Sequence, residues 1–178
     1  YFSGKPPEFW KEHGISDKDI YPYLPPPHEK IINNNTEIHF MGYYHCWDPQ
    51  ENFYYCVEHN GFTTSPERTD GTYSKYAGLD DQTDWLHYFL SYIKFGIGRA
   101  TADTAHEIRD DKITRDEGVR LVKKYDSEIS PAYFHATLDY MEITEKEFWS
   151  VIDTWRSPHL WVHQNGDWKL RHAVWHEE

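Results

Sequence analysis

Two short stretches hold the residue types that handle anions. The first is Pro66-Glu67-Arg68-Thr69-Asp70-Gly71-Thr72-Tyr73-Ser74-Lys75-Tyr76. It combines two cations, hydroxyl donors and a glycine that lets backbone approach a ligand, which are the parts of an anion or phosphate clamp. A solvated surface loop has the same composition, and composition alone favours that plainer reading. The second stretch is Lys94-Phe95-Gly96-Ile97-Gly98-Arg99-Ala100-Thr101. Two glycines between a helix end and a helix start, beside Lys and Arg, suit a phosphate cradle. They suit better a helix–helix corner with glycine at the C-cap and Thr101 as a cap. The pattern lacks the preceding strand that a dinucleotide fingerprint needs.

Other chemistry is weaker. His159 and His163 are four apart, as are His172 and His176, but they fall on an expected hairpin and at the terminus rather than on a helix face. No metal site is expected. Asp80-Asp81 has the charge to hold Mg²⁺ but reads better as a helix cap. His45, Asp70 and Ser74 form no recognisable triad, because no elbow motif surrounds the serine.

The whole chain narrows the options. Its 178 residues suit one domain of ordinary size. Eighteen basic against 30 acidic residues give a net charge of −12, which argues against nucleic acid or an anionic membrane as partner. Leu, Ile, Val and Phe together make up just under a fifth of the chain, but 8 Trp, 14 Tyr and 9 Phe are rings that disordered chains lack. A folded domain with an aromatic core or interface follows, and a stacking platform for sugars is a further use of such rings. No apolar run reaches the length of a membrane span. Residue 1 is Tyr rather than Met, which points to a processed start or a piece of a longer protein. Cys46 and Cys56 are ten apart with no CxxC, so a reducing cytoplasm is the default location.

The elements that would position these residues are mostly helices. Residues 1–36 are expected to be a Pro-rich irregular segment, with a short helix near Glu8–His13, one more turn capped by Ser16 and Asp19, and a turn at Asn33–Asn35. Glu37–Tyr44 reads as a strand. Asp48-Pro49-Gln50-Glu51 starts a helix running to about His59 and stopping at Gly61, so the two make a βα unit. After a loop over 62–79, a helix is expected from Asp80 or Asp81, with Leu86, Phe89, Leu90, Ile93 and Ile97 on its apolar face. A second carries Ala102, Ala105 and Ile108. A third opens with a capping box at Thr114–Glu117 and buries Val119, Val122 and Tyr125. A fourth runs from Ser130-Pro131 to Met141. The box Thr144–Glu147 opens a fifth, with Phe148, Val151, Ile152 and Trp155. Asn165-Gly166 then joins the strands of a hairpin, Leu160–Gln164 and Asp167–His172. The fold class is therefore mainly α, with a βα unit near the start and a carboxyl-terminal β-hairpin. Residues 37–178 form its mostly helical domain.

The ordered motifs HFMGYYHCWDPQENFYYCVEHNGF, PERTDGTYSKYAGLDDQTDWLHYFLSYIKFGIGRATADTAHEIRDDKITRDEGVRLVKKYD, FWSVIDTWRSPHLW and WKLRH cover roughly residues 37–172. They resemble the carboxyl-terminal half of the N-acetyl sugar amidotransferases of lipopolysaccharide biosynthesis. The resemblance implies the carboxyl-terminal portion of an α/β enzyme of the PP-loop ATP pyrophosphatases. Such an enzyme adenylates an amide oxygen with ATP and Mg²⁺, then lets ammonia displace AMP, turning an acetamido group into an acetamidino group. It also implies a sugar substrate and a glutaminase-type partner that supplies ammonia from glutamine. The family's Ser-Gly-Gly-x-Asp-Ser loop is absent here, and Ser3-Gly4-Lys5 is followed by Pro6 and Pro7 with no strand before it. The amino-terminal cysteine pairs are absent too. The nucleotide grip would then lie in a missing PP-loop half, and this chain alone would hold no cofactor and be inactive. Within such an enzyme Lys75 and Arg99 are expected to stabilise charge building on the phosphate, a contact worth about 3–4 kcal/mol each. Arg68, Thr72, Tyr73 and Lys94 are expected to bind substrate or its phosphate. The rival expectation is a non-catalytic carbohydrate-binding or interaction module.

Overall fold

The structure is a computed structural model that describes residues 4–176. The chain divides into two compact units, one ending at Cys46 and the other starting at Trp47. The first is a string of short helices: α1 (Pro7–Glu12), α2 (Asp17–Ile20), a 3₁₀ turn (Tyr21–Tyr23), α3 (His28–Asn33) and α4 (Met41–Tyr44). The Ser16 hydroxyl caps α2 by accepting from the Asp19 amide. Ile20 is the one buried residue among those described in this unit.

The expected strand over Glu37–Tyr44 does not form. Residues 36–40 have no regular structure, and Met41–Tyr44 is a single helical turn. A strand must be paired to persist, and among the described residues the hairpin strands pair only with each other. Aromatic and β-branched enrichment therefore expresses no βα unit here.

The second unit is helical and follows its caps. Helix α5 (Pro49–Asn60) starts where the Asp48 carboxylate accepts from the Gln50 and Glu51 amides, and stops at Gly61 in the left-handed conformation. After a long loop come α6 (Asp84–Phe95), α7 (Arg99–Arg109), α8 (Arg115–Tyr125), α9 (Phe134–Met141) and α10 (Glu145–Thr154). Both expected capping boxes are present, at Thr114/Glu117 and Thr144/Glu147. The chain ends in the antiparallel pair β1 (Trp161–Gln164) and β2 (Asp167–Leu170), registered Trp161 to Leu170 and Gln164 to Asp167. Asn165 (φ 54°) and Gly166 (φ 88°) make the tight turn that matches strand twist.

Helix α6 starts at Asp84, three or four residues later than the expected Asp80 or Asp81. The Asp81 carboxylate takes the Thr83 amide and hydroxyl, both at 2.7 Å, and so forms a local turn rather than the first helical turn. Its buried face is Trp85, Tyr88, Phe89, Tyr92 and Ile93. Gly96 ends the helix, and Ile97, expected on that face, is exposed. Helix α7 buries Ala100 and Thr104 instead of Ala102. Helix α9 starts at Phe134 rather than at Ser130-Pro131, because Ser130 caps a preceding turn by accepting from the Tyr133 amide.

The core joins α6 to Phe134 and Leu138 of α9, Phe148 and Ile152 of α10, and Trp161 and Leu170 of the hairpin. Its two buried indoles are satisfied. The Trp161 indole donates to the Ile93 carbonyl at 2.7 Å, and the Trp85 indole to the Thr137 hydroxyl at 3.3 Å. This aromatic wall fixes α6, and α6 sets the two bends that flank it.

Candidate functional site

The two anion-type stretches meet. The Ala100 amide, at the start of α7, donates to the Gly71 carbonyl at 3.2 Å. The loop before α6 is itself folded tightly. The Ser65 amide donates to the Lys75 carbonyl, the Thr69 amide to the Ser74 carbonyl (both 3.0 Å), and the Thr69 hydroxyl to the Ala77 carbonyl. Gly71 has φ +87°, a conformation that favours glycine, and a Cβ there would stand 3.3 Å from Tyr88 of α6, a tight contact.

Each bend is already filled by a carboxylate from the segment after α8. Asp126, 3% exposed, accepts from the Gly98 and Thr101 amides at 2.9 Å and from the Thr101 hydroxyl. These are the donors a phosphate would use at the start of α7. Thr101, read as a possible cap, is instead capped. Glu128 accepts from the Gly71 amide at 2.8 Å and from both terminal nitrogens of Arg68, one at 2.6 Å. Burial pushes the Glu128 carboxyl up, but Arg68 and the Gly71 amide outweigh that and hold it below its ordinary range. The Arg68 plane lies over Tyr125 at 4.6 Å and also donates to the Thr72 carbonyl at 3.1 Å.

Arg68, Thr72 and Arg99 thus share one network. The fully buried Thr72 donates its hydroxyl to Asp103 at 2.6 Å, and Asp103 accepts from Arg99 Nε at 2.8 Å. Arg99 also lies over the Tyr88 ring at 5.4 Å and is a little over one-third exposed. Tyr73 buries its hydroxyl beside Glu107, one turn beyond Asp103, in a contact short of a well-formed hydrogen bond. Burial first, then Glu107, pushes the Tyr73 hydroxyl up; burial, then Asp103 and Asp48, raises Glu107 despite Tyr73. Lys75 turns back on its own loop and donates to the Pro66 carbonyl at 2.7 Å. Lys94 lies elsewhere, near the end of α6, beside Phe95 and Trp155 in a shallow groove of about 340 Å³.

A half-open cleft of about 880 Å³ lies between residues 63–70, 78–85 and 131–133. Glu67, Asp70, Asp80, Asp81 and Asp84 line it, with the Trp85 and Tyr133 rings. Among the described lining residues Arg68 is the one Lys or Arg, and Glu128 neutralises it. The cleft is therefore rich in hydrogen-bond acceptors and negative in potential. Among the described residues, no group of three or more His, Cys, Asp or Glu is placed to hold a metal ion. No described helix is long and apolar enough to cross a membrane.

The family described as LPS biosynthesis protein WbpG-like, C-terminal domain, matches residues 70–174. The chain belongs to this WbpG-like family. The match runs from Asp70, inside the first bend, to just past the hairpin, so the second bend, the Gly71 part of the first and the buried aromatic core lie in the WbpG-like domain, while Arg68 lies just ahead of it. The family name ties that domain to lipopolysaccharide biosynthesis. No curated protein matches the chain.

Sequence reasoning missed Asp103, Glu107, Asp126 and Glu128. Asp103 carried a readable signal, since it stands four residues after Arg99 on one helix. Asp126 and Glu128 carried none, because their partners lie 25 to 60 residues away in the chain.

Proposed function

We propose that this chain is the acceptor-sugar part of an ATP-dependent amidotransferase of lipopolysaccharide or O-antigen biosynthesis, converting a sugar N-acetyl group to an acetamidino group. ATP and Mg²⁺ are held by a PP-loop half, and a glutaminase-type partner delivers ammonia from glutamine. The amide oxygen attacks the α-phosphorus of ATP and pyrophosphate leaves. Ammonia then adds to the activated carbon, and AMP departs with the former amide oxygen.

The observation that supports this reading is the acid-lined cleft at the edge of the WbpG-like domain. Sugar hydroxyls donate to carboxylates, and ring faces such as Tyr133 pack on sugar carbons. The product carries an amidinium cation where the substrate carried a neutral amide, so Asp70, Asp80 and Asp84 favour the product charge. Phosphates are excluded from both bends by Asp126 and Glu128, which fits a nucleotide grip in the other half. Arg99 retains the charge-stabilising role, because Asp103 engages its Nε, whereas Glu128 takes both terminal nitrogens of Arg68 and Lys75 closes its loop.

The test combines this chain with a PP-loop half, ATP, Mg²⁺, ammonium and an N-acetylated nucleotide sugar. AMP formation that requires both the sugar and this chain, with an amidine product by mass spectrometry, is the expected result. Asp80→Asn with Asp84→Asn should lower that rate about tenfold. AMP formation unchanged when this chain is omitted would overturn the proposal. The binding-module alternative predicts sugar binding by this chain with no AMP formed in any combination.

A further inference from the structure

The strand that fails to form over Glu37–Tyr44 leaves a different arrangement in its place. In an extended chain, two residues five apart point to opposite faces and lie roughly 16 Å apart. Here the single turn of α4 folds the segment back, with the Tyr43 amide donating to the Phe40 carbonyl at 2.9 Å and the His45 amide to the Met41 carbonyl at 3.0 Å. That turn lays the Tyr44 ring against the His39 ring, with centroids 5.7 Å apart and planes 18° from parallel.

Three side chains then stand in line. His39 Nε2 is 2.7 Å from the Glu37 carboxylate, and His39 Nδ1 is hydrogen-bonded to the Tyr44 hydroxyl. The acceptors set the order of the protons. An ionised carboxylate can only accept, so Nε2 carries the ring proton, and the neutral ring offers its Nδ1 lone pair to the phenol. A hydroxyl beside a base that a third group orients is the arrangement of an activated nucleophile. The line is open to reagents, since Tyr44 is 55% exposed and the His39 side chain 52%. Ile38, Phe40, Met41 and Tyr43 are exposed in the same segment. Those apolar neighbours, with Glu37 and a net charge of −12, favour a neutral reagent over an anionic one.

We propose that Glu37, His39 and Tyr44 form a nucleophilic relay in which Tyr44 accepts acyl groups from neutral activated esters. The Tyr44 oxygen bonds to the carbonyl carbon as the ester C–O bond breaks. His39 Nδ1 takes the phenol proton and hands it to the departing oxygen. Glu37 is the positioning residue: it fixes the ring tautomer and steadies the imidazolium that forms in between. The product is an acyl ester of Tyr44 and a free alcohol or phenol. This site stands apart from the proposed amidotransfer and does not rest on it.

The experiment treats the whole chain briefly with 4-nitrophenyl acetate near neutral pH and reads acetylation of each tyrosine by peptide mass mapping. Tyr43, Tyr140 and Tyr21 are internal standards, because at 86%, 82% and 75% exposed they are more open than Tyr44. Tyr44 should nevertheless acetylate about tenfold faster than any of them. His39→Asn should bring Tyr44 down to the rate of the standards and leave the standards unchanged, which a general loosening of the fold would not do. Glu37→Gln keeps an acceptor for Nε2–H but removes the charge, and should slow Tyr44 several-fold. It carries the same test if His39→Asn disturbs the turn. Tyrosines labelled in order of exposure, with Tyr43 ahead of Tyr44, would overturn the proposal. So would no labelling of Tyr44, or a Tyr44 rate indifferent to both variants.

Discussion

Asp126 and Glu128, two residues apart, close two separate glycine bends from one short segment. Asp126 takes the Gly98 and Thr101 amides, and Glu128 takes the Gly71 amide and the Arg68 fork. Removing either carboxylate strands buried donors. Asp126→Ala should cost about 2–4 kcal/mol, since it uncaps α7 and leaves two amides unpaired. Glu128→Ala should cost less, about 1–2 kcal/mol, because its pair with Arg68 is partly exposed and screened. Urea denaturation of each variant measures the order. Equal losses would mean the two ties are not energetically distinct.

The same relationship makes a binding prediction. Both bends have the donors of an anion site, but a carboxylate lies 2.8–2.9 Å from each donor amide. Pyrophosphate at millimolar concentration should leave the Gly71, Gly98 and Thr101 amide resonances unmoved in a ¹⁵N correlation spectrum. Shifts concentrated at those three amides would show that phosphate displaces the carboxylates.

Gly98 is required by space rather than by conformation. A Cβ there would lie 2.8 Å from the Asp126 carbonyl oxygen, a backbone atom that cannot swing aside. Gly98→Ala should destabilise by about 1–3 kcal/mol. It should also loosen the Thr101 amide, read as faster hydrogen exchange there than at Thr104. Unchanged stability and exchange would mean the Asp126 segment can retreat at no cost.

These particulars mark what was legible in the sequence. Local signals held: Asp48-Pro49 and Gly61 delimit α5, both capping boxes open their helices, and Asn165-Gly166 turns the hairpin. Each is a bond within a few residues, so the chain writes it locally. Glu37–Tyr44 failed because a strand depends on a neighbour that local composition cannot name. The site divides in the same way. The cations and glycines of the bends were visible, and so was the choice between clamp and corner. The carboxylates that decide between them were not, because Asp126 and Glu128 reach Gly98 and Gly71 only through the packing of α7 and α8. Lys75 and Lys94 illustrate the converse, since cations close to a glycine in sequence point to a carbonyl and to an aromatic ring.

Glu107 gives a pH dependence with a definite sign. Burial, aided by Asp103 and Asp48, raises its carboxyl above the unfolded value, even with Tyr73 beside it. Below the ordinary glutamate range the group is neutral whether folded or not, and it costs nothing. As pH rises through its raised folded value, the native state must carry a poorly hydrated charge, so the protein loses stability. Glu107→Gln keeps the shape and an acceptor facing Tyr73 but removes the charge. It should melt a few degrees above wild type at pH 7, and the gap should close near pH 4. Glu128→Gln should behave oppositely, because that carboxyl is held low: its deficit should be full at pH 7 and shrink as acid protonates Glu128 in the wild type. Melting curves for both variants between pH 4 and pH 7 check the pair. A Glu107→Gln gap that stays constant with pH would mean the carboxyl is solvated well enough to ionise freely beside Tyr73.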